Sequence, residues 1–280
     1  GKAIIVKLAY RHGVDAVTLI MLRMLFALPF FLAMSWWASR HTPSRKPVPL
    51  TRKDVLGIVW LGFTGYYLAS FLDFAGLQYI TASLERLILY LNPTLVLLLG
   101  LALFGRRIGR RQAFGMAISY GGVLLVFGHE VTLQGADAAL GAVLVFLSAV
   151  SYALYLFYSG EMVQRLGSMR LVGLATSVAC VLCIVQFLVL RPLGTAFEVA
   201  SEVVWLSVLN AMLCTVLPVM MVMMAIERIG SGLAAQVGMV GPMSTMIMGV
   251  LLLGEPFTAW LVVGTLLVIA GVFVCSRARA

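Results

Sequence analysis

LNPTLVLLLGLALFGRR, residues 91–107, and VGPMSTMIMGVLLLGEPFTAW, residues 240–260, carry the same backbone punctuation on different side chains. Each is an apolar run with a proline near its start and a glycine where it ends. Slid over one another, Pro93 meets Pro242 and Gly105 meets Gly254, a shift of 149 residues. The same shift brings Gly115 onto Gly264 and Gly122-Val123 onto Gly271-Val272, while Ile80, Leu84 and Leu103 find Ile229, Leu233 and Leu252. The proline and glycine matches weigh most, because these residues report demands of the backbone rather than apolar filler.

Outward from these stretches the chain reads as a series of membrane spans. About 20 apolar residues cross ~30 Å of hydrocarbon, and nine runs qualify: roughly 14–37, 54–78, 82–104, 112–128, 138–159, 171–190, 203–226, 231–253 and 257–275. Residues Gly1 to Tyr10 are apolar but too short to span, and read as the second half of a tenth helix whose start is missing. The expectation is an all-α integral membrane protein of ten transmembrane helices, the first incomplete. The halves cover 1–128 and 138–275, with a tail at 276–280. Five helices per half is an odd number, so the second half enters the membrane inverted. Inverted repeats are a transporter architecture with the substrate site near the midplane between the halves.

Composition agrees. Hydrophobic residues make up 62% of the 280, charged residues 11%, and the mean hydropathy is +1.04. No water-soluble core of this size hides that much apolar surface. The net charge of +9 sits in short loops between apolar runs, a membrane signature that excludes nucleic acid as a partner. With the complete N-terminus inside, the inner loops hold fourteen of the twenty Lys and Arg, among them Arg40, Arg45, Lys46, Arg106, Arg107, Arg110 and Arg111. Asp15, Glu130, Asp137, Glu198, Glu202 and Glu255 lie outside. Both termini are expected in the cytoplasm, in a bacterial inner membrane.

The chain resembles a known family through these duplicated stretches and the glycine-rich segments that follow them, GMAISYGGV at 115–123 and GTLLVIAGV at 264–272. They look like the two EamA modules of the drug/metabolite transporter superfamily, in which a proline falls in the fourth helix of each module and a Leu-Gly-Glu-type end precedes a glycine-rich fifth helix. The second module has Glu255 at that end and the first has Arg106. The resemblance implies ten helices, alternating access, and export of amino acids, nucleobases or related metabolites. It names no particular substrate.

Charged side chains inside a span cost ~2.5–3.5 kcal/mol each on insertion scales and need a reason. Lys7, Arg23, Asp73, Glu85 and Arg86 cluster in the first half, toward the outer side. Asp73 lies 19 residues past Asp54, or about 28 Å along a helix axis. At the repeat shift, Asp73, Glu85 and Arg86 meet Val222, Ala234 and Ala235, so these charges lie outside the duplicated scaffold. Two readings stand open: an ion-pair network tying the outer helix ends together, or a vestibule in which Glu85, with Lys7 or Arg23 opposite, meets a zwitterionic substrate or takes up a proton.

Nearer the midplane the polar residues are neutral. Candidate substrate contacts are Tyr67, Tyr90, Asn92, Tyr152, Tyr155, Asn210 and Gln236, with Tyr66 and Thr215 close by. Asn or Gln in a bilayer needs a partner across helices or a water-filled cavity. Such a midplane suits an uncharged or zwitterionic ligand with a ring or apolar side chain. Pro93 and Pro242 each remove a mid-span hydrogen bond, which reads as a static kink or as a paired hinge. Gly115 and Gly122, like Gly264 and Gly271, share a helix face and read as close-packing scaffold.

Other chemistries find little support. Cys180-x-x-Cys183 lies in an apolar run with no second pair, and His12, His41 and His129 lie in connections, so no metal site is expected. No phosphate-binding loop and no clustered nucleophile argue for a cofactor or an enzyme. The expected partners are a small-molecule substrate and membrane lipid, with assembly as monomer or homodimer open. A membrane-embedded lipid-handling protein and a non-transporting sensor are the competing classes.

Overall fold

In a computed structural model of the chain the described residues are 1–40, 49–105, 109–221 and 241–277. They are helical throughout, joined by short turns, with no strand among them. In chain order the helices are α1 (Lys2–Tyr10), α2 (Ala16–Arg40), α3 (Arg52–Gly76), α4 (Ala82–Leu89 and Asn92–Phe104), α5 (Arg110–Gln134), α6 (Ala136–Leu166), α7 (Ser168–Leu190), α8 (Ser201–Met221), α9 (Gly241–Met248, continuing through Gly249–Leu253) and α10 (Ala259–Arg277). Seven of these, α2 to α8, are long and apolar enough to cross a membrane, and Ala259–Cys275 of α10 is an apolar but shorter stretch. The start of the expected span at 231–253, like Gln236, lies outside the described residues.

Local chemistry fixes the ends. Thr51 and Asp54 form a capping box at the start of α3, the Thr51 hydroxyl accepting from the Asp54 amide and the Asp54 carboxylate from the Thr51 amide. Asp15 accepts from the Val17 and Thr18 amides ahead of α2 and meets Arg191 at 3.3 Å. Burial alone would raise the Asp15 pKa. The bonds from Thr18 and the Arg191 charge outweigh it and hold the carboxyl below its ordinary value. Gly105 and Gly254, matched by the repeat shift, both cap their helices in the left-handed region, at φ of 61° and 69°. A side chain there would clash with its own backbone, which is why glycine recurs.

The outside of the bundle is apolar: Leu56, Val189 and Leu251 are 72%, 76% and 75% exposed. A surface of that kind has lipid as its solvent. Inside lie three apolar clusters, the smallest joining α3, α6 and α7 around Leu61, Tyr155 and Leu171. Of the other two, one joins α1, α2, α7 and α8 around Leu19, Met24, Phe31 and Phe187; the second joins α4, α5, α6 and α10 around Leu84, Val126, Val145 and Val268.

The packing repeats itself by exchange. In the α2–α7 pair, Met24 touches Cys180 (S to S, 3.7 Å), while Gly173 is pressed so close to Phe31 that an added Cβ would lie 3.1 Å from the Phe31 carbonyl oxygen. Gly173 is the shift counterpart of Met24, and Cys180 that of Phe31. In the α5–α10 pair, Gly115 abuts Gly271 and Gly122 abuts Gly264, with an added Cβ 2.6 and 2.7 Å from the facing carbonyl oxygens. Ser119 donates to the carbonyl of Val268, its own counterpart, at 3.4 Å. Two residues that each contact the counterpart of the other mark a two-fold axis between them. Both helix pairs run antiparallel, so counterpart helices point in opposite directions.

Candidate functional site

The two-fold reaches into the middle of the bundle through a backbone irregularity. Helix α3 widens into π-helix at Phe63–Leu68, and α8 does so at Met212–Val216. The shift of 149 carries 63–68 onto 212–217. A π-turn frees carbonyls that a regular helix would engage, and such turns gather at functional sites. In α3 the freed groups are met from α6, where Ser151 donates to the Thr64 carbonyl at 2.7 Å and Ser148 to the Ala69 carbonyl at 2.6 Å. In α8, Thr215 donates to the Asn210 carbonyl at 3.1 Å.

Between these π-turns lies a cavity of about 330 Å³. Gly65, Tyr66 and Ser70 line it from α3, and their shift counterparts Cys214, Thr215 and Val219 line it from α8. Tyr90 and Asn92 line it from the break in α4, and Tyr152 from α6. Helix α4 is interrupted there: Tyr90 and Leu91 form a tight turn, the Leu91 amide bonding to Ile88 at 3.0 Å, and Asn92–Phe104 starts afresh with Pro93 in its first turn. Proline lacks the amide that a new helix start leaves without a partner, so it suits that position. The Tyr90 hydroxyl and the Asn92 side-chain oxygen Oδ1 are buried beside the cavity without a hydrogen-bond partner among the described residues.

Aromatic rings stiffen one wall. Tyr155 stacks on Tyr152 at 5.5 Å, meets Tyr66 edge-on at 5.2 Å, and their hydroxyls lie 3.4 Å apart. Gly65 permits this approach, since a Cβ there would sit 2.4 Å from the Tyr155 ring. Tyr155 therefore supports the wall from behind rather than lining it.

Three cations face the same space: Lys2, Arg23 and Arg86. Behind Lys2 stand two buried carboxylates, its Nζ 2.5 Å from Asp73 and 3.7 Å from Glu85, while Arg86 lies 3.8 Å from Glu85. Arg23, 4% exposed, reaches the Ser70 hydroxyl at 3.0 Å and lies over the Phe74 ring at 4.8 Å. The charged layer and the neutral midplane set, separate in sequence, thus meet around one cavity. Lys2 occupies the place opposite Glu85 in which the sequence reading set Lys7 or Arg23.

Lys7 faces elsewhere. It borders a second cavity of about 310 Å³ with Tyr10, Gln78 and Glu255. At that end Glu255 accepts from the Ala82 amide (2.6 Å), the Ser83 amide (3.3 Å) and the Ser83 hydroxyl (2.7 Å). Glu130 accepts from the amide and hydroxyl of Thr81. Two carboxylates thus cap the start of α4, where the helix dipole favours negative charge. Arg11 donates to the Leu253 carbonyl at 2.8 Å, and Tyr10 to that of Phe74 at 2.6 Å, so this end is sealed by polar bonds.

The remaining candidates lie off the cavity. Tyr67 turns to Phe63, ring to ring at 5.5 Å. Asn210 is buried next to the α8 π-turn, its amide atoms without a partner among the described residues. Pro242 falls in the first described turn of α9. Lys2, Ser70, Ser148 and Cys214 line the cavity but carry no motif. Gly65-Tyr66 and Cys214-Thr215 could have been paired by the shift alone, though nothing in their side chains announces a π-turn.

A lipid-facing helical bundle, paired about a two-fold around a central polar cavity, defines a membrane transporter. The model of the EamA-like transporter family matches residues 2–128 and 139–277, and the chain belongs to that family. It is 30% identical over 268 residues to the uncharacterized transporter YcbK of Bacillus subtilis (strain 168), covering 91% of this chain and 81% of that protein. The uncharacterized transporter YetK of the same organism is 24% identical over 256 residues, covering 90% and 76%. A solved crystal structure shares the fold at a TM-score of 0.64 and 16% identity, covering 99% of this chain and 92% of its own.

Proposed function

We propose that this chain is a secondary carrier moving a small metabolite (an amino acid, a nucleobase or a related amphipathic compound) across a bacterial inner membrane by alternating access. Ten spans in two inverted modules, 1–128 and 138–275, with both termini cytoplasmic, form its frame. The observation that carries the reading is the shared lining: Gly65, Tyr66 and Ser70 face Cys214, Thr215 and Val219 across one cavity, counterpart against counterpart. A site built from both halves is remade when inverted halves rock past each other. Tyr90, Asn92 and Tyr152 supply ring faces and hydrogen bonds to a ligand, with Tyr67, Tyr155 and Asn210 supporting the wall. Gln236 belongs to the lining on sequence grounds. The break at Tyr90-Leu91 before Pro93 serves as one hinge, and Pro242, its match in the sequence, as the other.

The test is flux through proteoliposomes holding the full-length protein, screened against amino acids, nucleobases and aromatic amines and acids. Saturable flux is expected, reduced about tenfold or more by Asn92→Ala or Tyr152→Ala, on the scale of a lost buried hydrogen bond or stacking contact. Flux unaffected by both changes in folded, inserted protein would place the pathway elsewhere.

A further inference from the structure

We infer that the cavity selects a substrate with one net negative charge beside a ring or apolar group: a single-ring organic acid rather than a zwitterion or an amine. The inference rests on the carrier reading above and narrows it by charge.

Three cations line the cavity, and two carboxylates stand within ion-pair distance of them. Asp73 and Glu85 share Lys2, and Glu85 also reaches Arg86. Lys2 and Arg86 are thereby matched charge for charge. Arg23 is not: among the described residues no carboxylate forms an ion pair with it, and its Nε is buried without a hydrogen-bond partner. Its neighbours are a hydroxyl, the Met24 sulfur at 3.9 Å and the face of Phe74. A guanidinium keeps its proton in any protein setting. Among the described residues the three cations outnumber the two carboxylates by one, and the excess falls on Arg23, 4% exposed, in surroundings where a lone charge is costly.

A counter-ion has a place to sit, because Arg23 is among the residues that line the cavity. A carboxylate there would gain a charge-assisted pair with a guanidinium already fixed by Ser70 and Phe74. The ring of the same molecule would meet Tyr66, Tyr90 and Tyr152. The Asn92 side-chain oxygen Oδ1, unbonded among the described residues, accepts from a donor on the ligand. An ammonium group finds no equivalent, since neither Asp73 nor Glu85 is among the residues that line the cavity. A volume of about 330 Å³ is at the small end of the ~300–1,000 Å³ range of ligand sites, so one ring fits.

The experiment compares four probes of one shape on the full-length protein in proteoliposomes. They are 3-phenylpropanoate (anion), 3-phenylpropanamide (neutral), phenylalanine (zwitterion) and phenethylamine (cation), each scored by flux and by thermal shift of the purified carrier. The anion is expected to half-saturate at a concentration at least about tenfold below the other three. Arg23→Gln should abolish that preference and bring the amide level with the acid, while Arg23→Lys retains the order. Preference for phenylalanine, phenethylamine or the amide in the unaltered protein overturns the charge assignment but leaves the carrier reading standing. Neither flux nor a shift with any probe, in folded protein, overturns the assignment and moves the ring-binding site out of this cavity. An anion preference untouched by Arg23→Gln assigns it to another cation and removes Arg23.

Discussion

Lys2 stands between two buried carboxylates, Asp73 and Glu85, and the arrangement turns on helical phase. Lys2 and Lys7 are five residues apart on α1, about 140° around the axis, so they face different cavities. The sequence marked the cluster through the insertion cost of its charges, but a nine-residue apolar helix carries no stripe from which to read which lysine points inward. The same limit applied to Arg23, legible as an intramembrane cation and illegible as the one that forms no ion pair among the described residues. If the Lys2–Asp73–Glu85 group is an ion-pair clamp, Asp73→Asn should lower the melting temperature of the detergent-solubilised protein. Breaking a buried pair costs roughly 3–5 kcal/mol, and the 22% exposure of the Lys2 side chain puts the loss toward the lower end. A variant melting with the unaltered protein would show the group to be wet and weakly coupled.

Helices meet here at glycines, and the contacts separate those that pack from those that do not. A Cβ on Gly271 would sit 2.4 Å from the Gly115 carbonyl oxygen, whereas one on Gly121 would meet nothing within 4 Å. Gly271→Leu must push α5 from α10, with a loss of about 1–3 kcal/mol or more, visible as a lower melting temperature. Gly121→Ala should hold or raise stability by up to ~1 kcal/mol, since it only removes the helix penalty of glycine. Equal effects of the two changes would remove the α5–α10 contact from the account. The seven-residue spacing of these glycines was legible as a packing face, because small residues on one face are a chemical statement. The π-turns were not, since Phe63–Leu68 and Met212–Val216 share almost no side chains and the register slip belongs to the backbone. They place half of the cavity wall, so the site was legible as a set of helices and not as a surface.

At the scale of the whole molecule the shift of 149 turned out to be geometry as well as ancestry: it pairs residues across the α2–α7 and α5–α10 contacts and across the cavity. Pro, Gly and spacing made it legible because a duplicated backbone keeps the residues that backbones require. Orientation rests on the distribution of Lys and Arg, and labelling tests it. In a cysteine-free background, His12→Cys should react with an impermeant maleimide on intact cells and Arg45→Cys only after permeabilisation; the reverse pattern would invert the protein. One position breaks the likeness of the halves. Glu255 accepts three hydrogen bonds from the first turn of α4, while Arg106 stands at its counterpart and a guanidinium accepts none. Two identical halves would make a carrier equally at ease open to either side. On the carrier reading, parting the Thr81 end breaks these Glu255 bonds. Glu255→Gln, which weakens those bonds, should on the same reading shift the carrier toward the state open at that end.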